Sequence, residues 1–258
     1  MEWYYLDKLK FKLLITAVIL ILVWYTVTEM QIVNSYVLPS PSKVLDSFFK
    51  MIKSGEIFED IYISYIRVFK GFFIATLFAF VLAMIRVMFP KLSDYYEGII
   101  QFSKNIPPLS LISLLILWFG IGETTKVGII VLTSFFPIYL NTVKGFINCD
   151  SNLLEVGKIY GYSKSQSFLK IRVPYALSDI LVGMRIGFGY SWRAIISAEM
   201  IAASSGLGHM ILFAQQTSRT DKVIVGILVI GAVGYLSDRL FGVIIKNTLK
   251  GIDKNGWN

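Results

Sequence analysis

Inside one long apolar, glycine-rich run of this chain sit the charged and aromatic residues that could do chemistry: Arg185, Trp192, Arg193 and Glu199. Arg185, Trp192 and Glu199 are spaced seven apart, which on a helix drifts by only about 20° per step and puts all three on one face. Arg193 lies deeper in the same run. A charged side chain at the centre of a bilayer costs about 2.5 to 3.5 kcal/mol on insertion scales, so such a group must face a cavity or a partner. Arg193 is therefore expected to face a cavity or to pair with Glu199. Arg185, near the end of the run, is expected to snorkel or brace a loop. Glu199 is expected to end the run at the membrane interface and brace the turn at Gly206 to Gly208.

Other chemistries are excluded by what the chain lacks. It has one histidine, His209, and one cysteine, Cys149, so neither a disulfide framework nor a multi-cysteine metal site can be built. No Gly-rich phosphate loop ending in Gly-Lys-Ser/Thr is present, so ATP must be hydrolysed elsewhere. An ion-coupled transporter would need acids at mid-membrane, and Glu199 is the one candidate; an enzyme would need a catalytic cluster, and none is visible. The reading is of a non-catalytic chain with no bound cofactor and no metal.

The elements that must position these residues are membrane spans. With 55% hydrophobic and 16% charged residues over 258, and a mean hydropathy of +0.64, the chain is too apolar for a soluble domain. Six apolar stretches recur, over 13–28, 68–88, 105–122, 127–143, 180–203 and 223–245, most of them near the roughly 17 to 25 residues that cross a bilayer as helix. The expected fold is an all-α, polytopic bundle of six transmembrane helices, with Lys70 and Arg86 snorkelling from the shorter runs. The first stretch follows Lys8, Lys10 and Lys12 but has no small-residue cleavage site after it, and reads as a retained span.

The formal charge of +8 is scattered between spans and forms no stripe that would suit nucleic acid. Placed inside, Lys8, Lys10, Lys12, Arg86, Lys91, Lys144, Lys158, Lys164, Lys170, Arg172, Lys246, Lys250 and Lys254 satisfy the positive-inside bias, so both termini and the 144–178 loop are expected in the cytoplasm. On the other side, Pro39 and Pro41 precede a helical spacing of Val44, Phe48, Met51 and Ile52 that predicts an amphipathic helix on the outer membrane surface. Pro107 and Pro108 remove backbone donors at the entrance to the third stretch, and that break should face protein or a cavity.

The cytoplasmic loop over 148–178 carries its own pattern. Asp150, Ser151 or Asn152 can cap a helix through Leu153, Leu154, Glu155, Val156, Ile159 and Tyr160, with Leu153, Val156 and Tyr160 on one face. Gly161 then permits a positive φ or a close approach, and Gly157 offers a second contact point. Pro174 reads as a break before the glycine-rich run. Exposed apolar residues on such a loop cost free energy unless something covers them, so the loop is a docking element.

These residues carry a family resemblance. The loop resembles the EAA motif of permease subunits of ABC importers, Glu-Ala-Ala, three residues, then Gly: Glu155 and Gly161 match, while Val156 and Gly157 replace the alanines. LPSPSKVL at 38–45, IPPLS at 106–110, LWFGIGE at 117–123, FFP at 135–137, and GMRIGFGYSW followed by AEMIAASSGLG over 183–208 resemble the nitrate, sulfonate and taurine permease family, over roughly 36–245. The chain departs from the pattern at Ser178 and Ser113, where prolines are frequent, and at Arg193, where small or apolar residues are usual.

The resemblance implies a type I ABC importer permease fold working by alternating access in the cytoplasmic membrane. Its organisation would be a tail and first span over 1–35, a permease domain over 36–246 and a cytoplasmic tail over 247–258. It implies a homodimer of permeases, two cytoplasmic ATPase subunits that use ATP and Mg, an extracytoplasmic solute-binding protein, and contact with lipid but not nucleic acid. Leu153, Glu155, Val156, Tyr160 and Gly161 would contact the ATPase. Trp118, Phe136, Tyr139, Trp192 and Arg193 are the residues expected along a translocation path, since Pro137 and the 107–108 pair loosen the helices that carry the first three. A sulfonate-like or nitrate-like anion is the expected solute, with a neutral vitamin precursor as the open alternative.

Overall fold

Proline placement and the lengths of the apolar runs set the helix boundaries in the computed structural model, which describes residues 2–249. Among the described residues the chain is helical and has no strand: α1 (Glu2–Glu29), α2 (Pro41–Lys53), α3 (Glu56–Met88), α4 (Pro90–Ser103), a 3-10 turn (Pro108–Leu111) leading into α5 (Ile112–Phe119), α6 (Glu123–Ile147), α7 (Ser151–Ile159), α8 (Lys164–Ser167), a π-helical turn (Phe168–Arg172), α9 (Val173–Ala202), α10 (Leu207–Gln216) and α11 (Thr220–Leu249). Pro41 and Pro90 each occupy the first helical position, where a missing N–H costs nothing. The side chains of Lys8 and Lys10, and Lys250 and Lys254 in the expected tail, lie outside the described residues.

α3, α6 and α11 are each long and apolar enough to cross a bilayer, and counting each of two broken pairs as one span raises the number to five. The expected third span is one of those pairs: α4 and the helix over 108–119 meet at a bend of 99°. Pro107 and Pro108 cause it, since neither can donate to a continuing helix and each disfavours helical backbone in the residue before it. α4 itself was not expected. Pro174, by contrast, does not break the chain. Its missing N–H is absorbed by the π-helical turn directly before it, and the helix runs on from Lys164 to Ala202.

By internal packing the chain divides into two units. One holds the chain up to Asp60 and Met210–Ile230. Here α2 buries Val44, Ser47 and Met51 on one face, where Ser47 donates to Asp221, and leaves Leu45 and Phe49 exposed on the other. Trp24 Nε1 donates to the Pro39 carbonyl at 3.1 Å, Thr220 Oγ1 to that of Tyr36 at 2.5 Å, and Lys222 Nζ reaches Glu56 at 2.9 Å.

The other unit holds Ile61–His209 and the chain from Gly231. Its spine is α6 running antiparallel to α9. Gly145 meets Ala176 and Asp179, Gly183 meets Asn141 and the Pro137 carbonyl, and Gly187 meets Ile138 and the Ser134 carbonyl. Small residues at three successive levels let the backbones approach, which is how helices associate where no hydrophobic effect operates between them. Gly189, on the same helix, faces open space. Phe72, Phe188 and Phe241 form a ring cluster beside it, with centroids 4.8 to 6.1 Å apart.

Candidate docking and translocation sites

The 148–178 loop folds into a self-capped module. Asp150 accepts from the Asn152 amide at 2.9 Å and starts α7. At the other end Gly161 adopts φ +74°, the Gly161 amide donates to Lys158 O at 2.9 Å, and the Tyr162 amide donates to Gly157 O at 2.9 Å. That is a Schellman closure, and it explains the glycine at 161 by backbone geometry. Ser163 and Gln166 then form a reciprocal capping box that starts the long helix through α9.

The module is tied to the bundle at its base. Phe168 stacks edge-on against Phe146 at 4.9 Å, Arg172 Nη1 donates to the Phe146 carbonyl at 3.1 Å near the end of α6, and Lys144 pairs with Asp179 at 3.3 Å. Gly157 is spent inside the chain: a Cβ there would overlap Ile171, so it seats α7 on the π-helical turn and is not the partner contact point expected of it. Glu155 and Val156 are exposed, Tyr160 is 75% exposed and Ile159 84% exposed, while Leu153 is half-buried. α7 thus offers an apolar rim around one carboxylate. Ile159, absent from the expected contact set, is its most exposed member.

The five expected path residues are not brought to one place. Trp118 is exposed and packs edge-on against Phe119, and Phe136 is half-buried. Tyr139 is fully buried; its hydroxyl donates to Glu97 Oε2 at 2.8 Å, and Glu97 is ion-paired with Arg86. Arg86 is therefore partnered within the chain. Trp192 is buried, 5.3 Å from the Tyr65 ring and against Gly234. Arg193 is exposed, 5.8 Å from the Tyr190 ring centroid, and lines a recess of about 490 Å³ with Val182, Arg185, Ile186, Gly189, Tyr190, Asp238 and Ile245.

Arg193 does not pair with Glu199. That carboxylate is fully buried and takes Arg67 instead, at 2.8 Å. All five N–H groups of Arg67 are used: Nη1 donates to Glu199 and to Ser205 O, both at 2.8 Å, Nη2 to Glu123 Oε1 at 2.8 Å and Ser205 Oγ at 3.1 Å, and Nε to Glu123 Oε2 at 2.9 Å. Lys126 is buried and donates to Glu123 at 2.6 Å. Glu199 does brace the turn, accepting from Gly208 N at 3.0 Å and from Ser64 Oγ, which in turn accepts from Leu207 N at 3.1 Å.

Arg185 is likewise partnered within the chain, by a bidentate pair to Asp238 at 2.6 and 2.8 Å. Arg67 and Asp238 are the functional partners that sequence reasoning missed. The usable signal was charge balance: a buried acid in one apolar run requires a cation in another.

Comparison with known proteins agrees with this architecture. Residues 72–250 match the model of the binding-protein-dependent transport system inner membrane component family. The permease protein SsuC of Bacillus subtilis (strain 168), named for aliphatic sulfonates transport, is 34% identical over 92% of this chain and 86% of its own length. The taurine transport system permease protein TauC of Escherichia coli (strain K12) is 31% identical over 86% and 82%, and the nitrate import permease protein NrtB of Synechocystis sp. (strain PCC 6803) is 29% identical over 89% and 86%. Among solved structures, an amino acid ABC transporter covers 78% of this chain and 96% of its own at a TM-score of 0.63, and the inward-facing MetNI methionine ABC transporter covers 73% and 94% at 0.56; each is 16% identical and speaks to the fold. Helices fit to cross a membrane, a capped loop presenting an apolar rim, and a family match over most of the length converge: the chain belongs to the family of inner-membrane components of binding-protein-dependent transport systems, the permease subunits of ABC importers.

Proposed function

We propose that the chain is one half of a homodimeric pore with six spans and both termini in the cytoplasm, the permease domain covering 36–246 between short flanking tails. It imports a small sulfonate-like or nitrate-like anion, released to it by a solute-binding protein, by alternating access. Two ATPase subunits, which use ATP and Mg, dock on α7 through Leu153, Glu155, Val156, Tyr160 and Gly161. The names of the relatives supply the class of solute. Arg193 supports an anion, since a cation within an apolar helix attracts negative charge into the path.

The observation that carries the docking reading is the construction of α7. Its two ends are capped by Asp150 and Gly161, while its outer face leaves Ile159 and Tyr160 bare around Glu155. A short helix so fixed, at the base of one unbroken helix from Lys164 to Ala202, converts a push on α7 into a displacement of α9. Glu155→Lys should leave membrane insertion intact and weaken association with the ATPase. Normal co-purification of the ATPase with this variant would overturn the docking assignment.

A further inference from the structure

Arg193 lies in the middle of the apolar run, about 20 Å along the helix axis from Ile180 and about 14 Å from Ala202 at 1.5 Å per residue. Among the described residues no carboxylate is paired with it; its side chain meets the face of Tyr190. Two turns earlier on the same helix Arg185 is held by both oxygens of Asp238 on α11. All four residues line the one recess of about 490 Å³, with Gly189 leaving its floor open and Val182, Ile186 and Ile245 supplying apolar wall. The recess is large enough for a small solute and holds two guanidinium groups against one carboxylate.

We infer that this recess is a binding site for monovalent oxyanions, and that Asp238 sets the valence it accepts by cancelling Arg185. This deepens the anion reading above and rests on it. Arg193 makes the direct contact, as a planar donor fork suited to a sulfonate or nitrate oxygen pair. The uncancelled charge is one, matched to one negative charge on the ligand. A second charge on the ligand would enter low-dielectric surroundings without a counter-charge, and desolvating it costs more than the remaining attraction returns. Aliphatic walls favour a short alkyl substituent on the oxyanion, so an alkanesulfonate fits both parts of the lining.

The inference is tested with the permease–ATPase complex in nanodiscs, by calorimetric titration with methanesulfonate as the monoanion and sulfate as the dianion. Wild type should bind methanesulfonate in preference to sulfate, and Arg193→Gln should abolish that binding. Asp238→Asn raises the uncancelled charge to two and should shift the ratio of affinities toward sulfate, on the order of tenfold. Arg185→Gln removes it and should weaken methanesulfonate on the order of tenfold, although Arg185 is not the contact. The pair Arg185→Gln with Asp238→Asn again leaves one charge and should return the ratio to that of wild type, which also controls for local misfolding in either single variant. No methanesulfonate binding to wild type would overturn the anion reading and this inference together, whereas binding that survives Arg193→Gln would overturn this inference and leave the anion reading standing. Arg193-dependent binding with a ratio that ignores the charge at 185 and 238 would overturn the valence assignment alone.

Discussion

Arg67 and Glu199 meet at 2.8 Å with side chains 5% and 0% exposed, joining α3 to the end of α9 across the turn that starts α10. The pair is asymmetric in what remains when it is broken. Arg67 has a second carboxylate in Glu123 and two further acceptors on Ser205, whereas Glu199 is left with hydroxyl and backbone donors such as Ser64 and the Gly208 amide. Arg67→Met therefore strands a buried charge and should cost about 3 to 5 kcal/mol. Glu199→Gln keeps the shape and leaves Arg67 compensated, and should cost about 1 to 2 kcal/mol. Thermal unfolding of the solubilised protein checks the order; a larger loss for Glu199→Gln would contradict the geometry.

The same turn makes a prediction about volume. A Cβ on Gly208 would overlap the Ile196 carbonyl, which is backbone and cannot yield, and one on Gly206 would overlap the Glu199 carboxylate at φ +102°. Gly208→Ala and Gly206→Ala should each lose about 1 to 3 kcal/mol through overpacking or backbone strain. Gly98, within α4, has nothing within 4 Å, so Gly98→Ala should instead stabilise by about 0.5 to 1 kcal/mol. Unfolding midpoints of the three variants suffice, and equal effects at 98 and 208 would refute the packing account.

What the sequence made legible follows from the range of the interactions concerned. The α7 caps at Asp150 and Gly161 and the entry of α2 at Pro41 are local, decided by a few consecutive residues. Glu199 was legible as a brace for the glycine turn because both lie within ten residues. Its cation was not, because Arg67 is 132 positions away and Arg193 was nearer in sequence. Arg185 finds Asp238 at a separation of 53 for the same reason. The third span misled in another way: hydropathy registers apolar length, whereas the 99° bend depends on two missing N–H groups at Pro107 and Pro108. The continuity of the helix through Pro174 was hidden because the π-helical turn that accommodates it has no sequence signature of its own.

Gly161 separates two explanations of a glycine at the docking loop. One is conformational, since φ is +74°, and the other is space, since a Cβ there meets nothing within 4 Å in the chain itself and the clearance would serve an approaching ATPase. The two rank substitutions differently. Alanine is small but disfavours the left-handed region by about 1 kcal/mol, while asparagine is larger and tolerates it. If closure of α7 is what matters, Gly161→Ala should loosen the Schellman turn, blur the positions of Val156 and Tyr160, and weaken the ATPase several-fold, with Gly161→Asn closer to wild type. If clearance matters, asparagine should be the worse of the two. Because the Gly161 amide and the Tyr162 amide are both engaged in the closure, the expected order is glycine, then asparagine, then alanine. Titration of the ATPase onto the three permeases in nanodiscs measures it, and global unfolding should be unchanged because α7 buries little beyond Gly157.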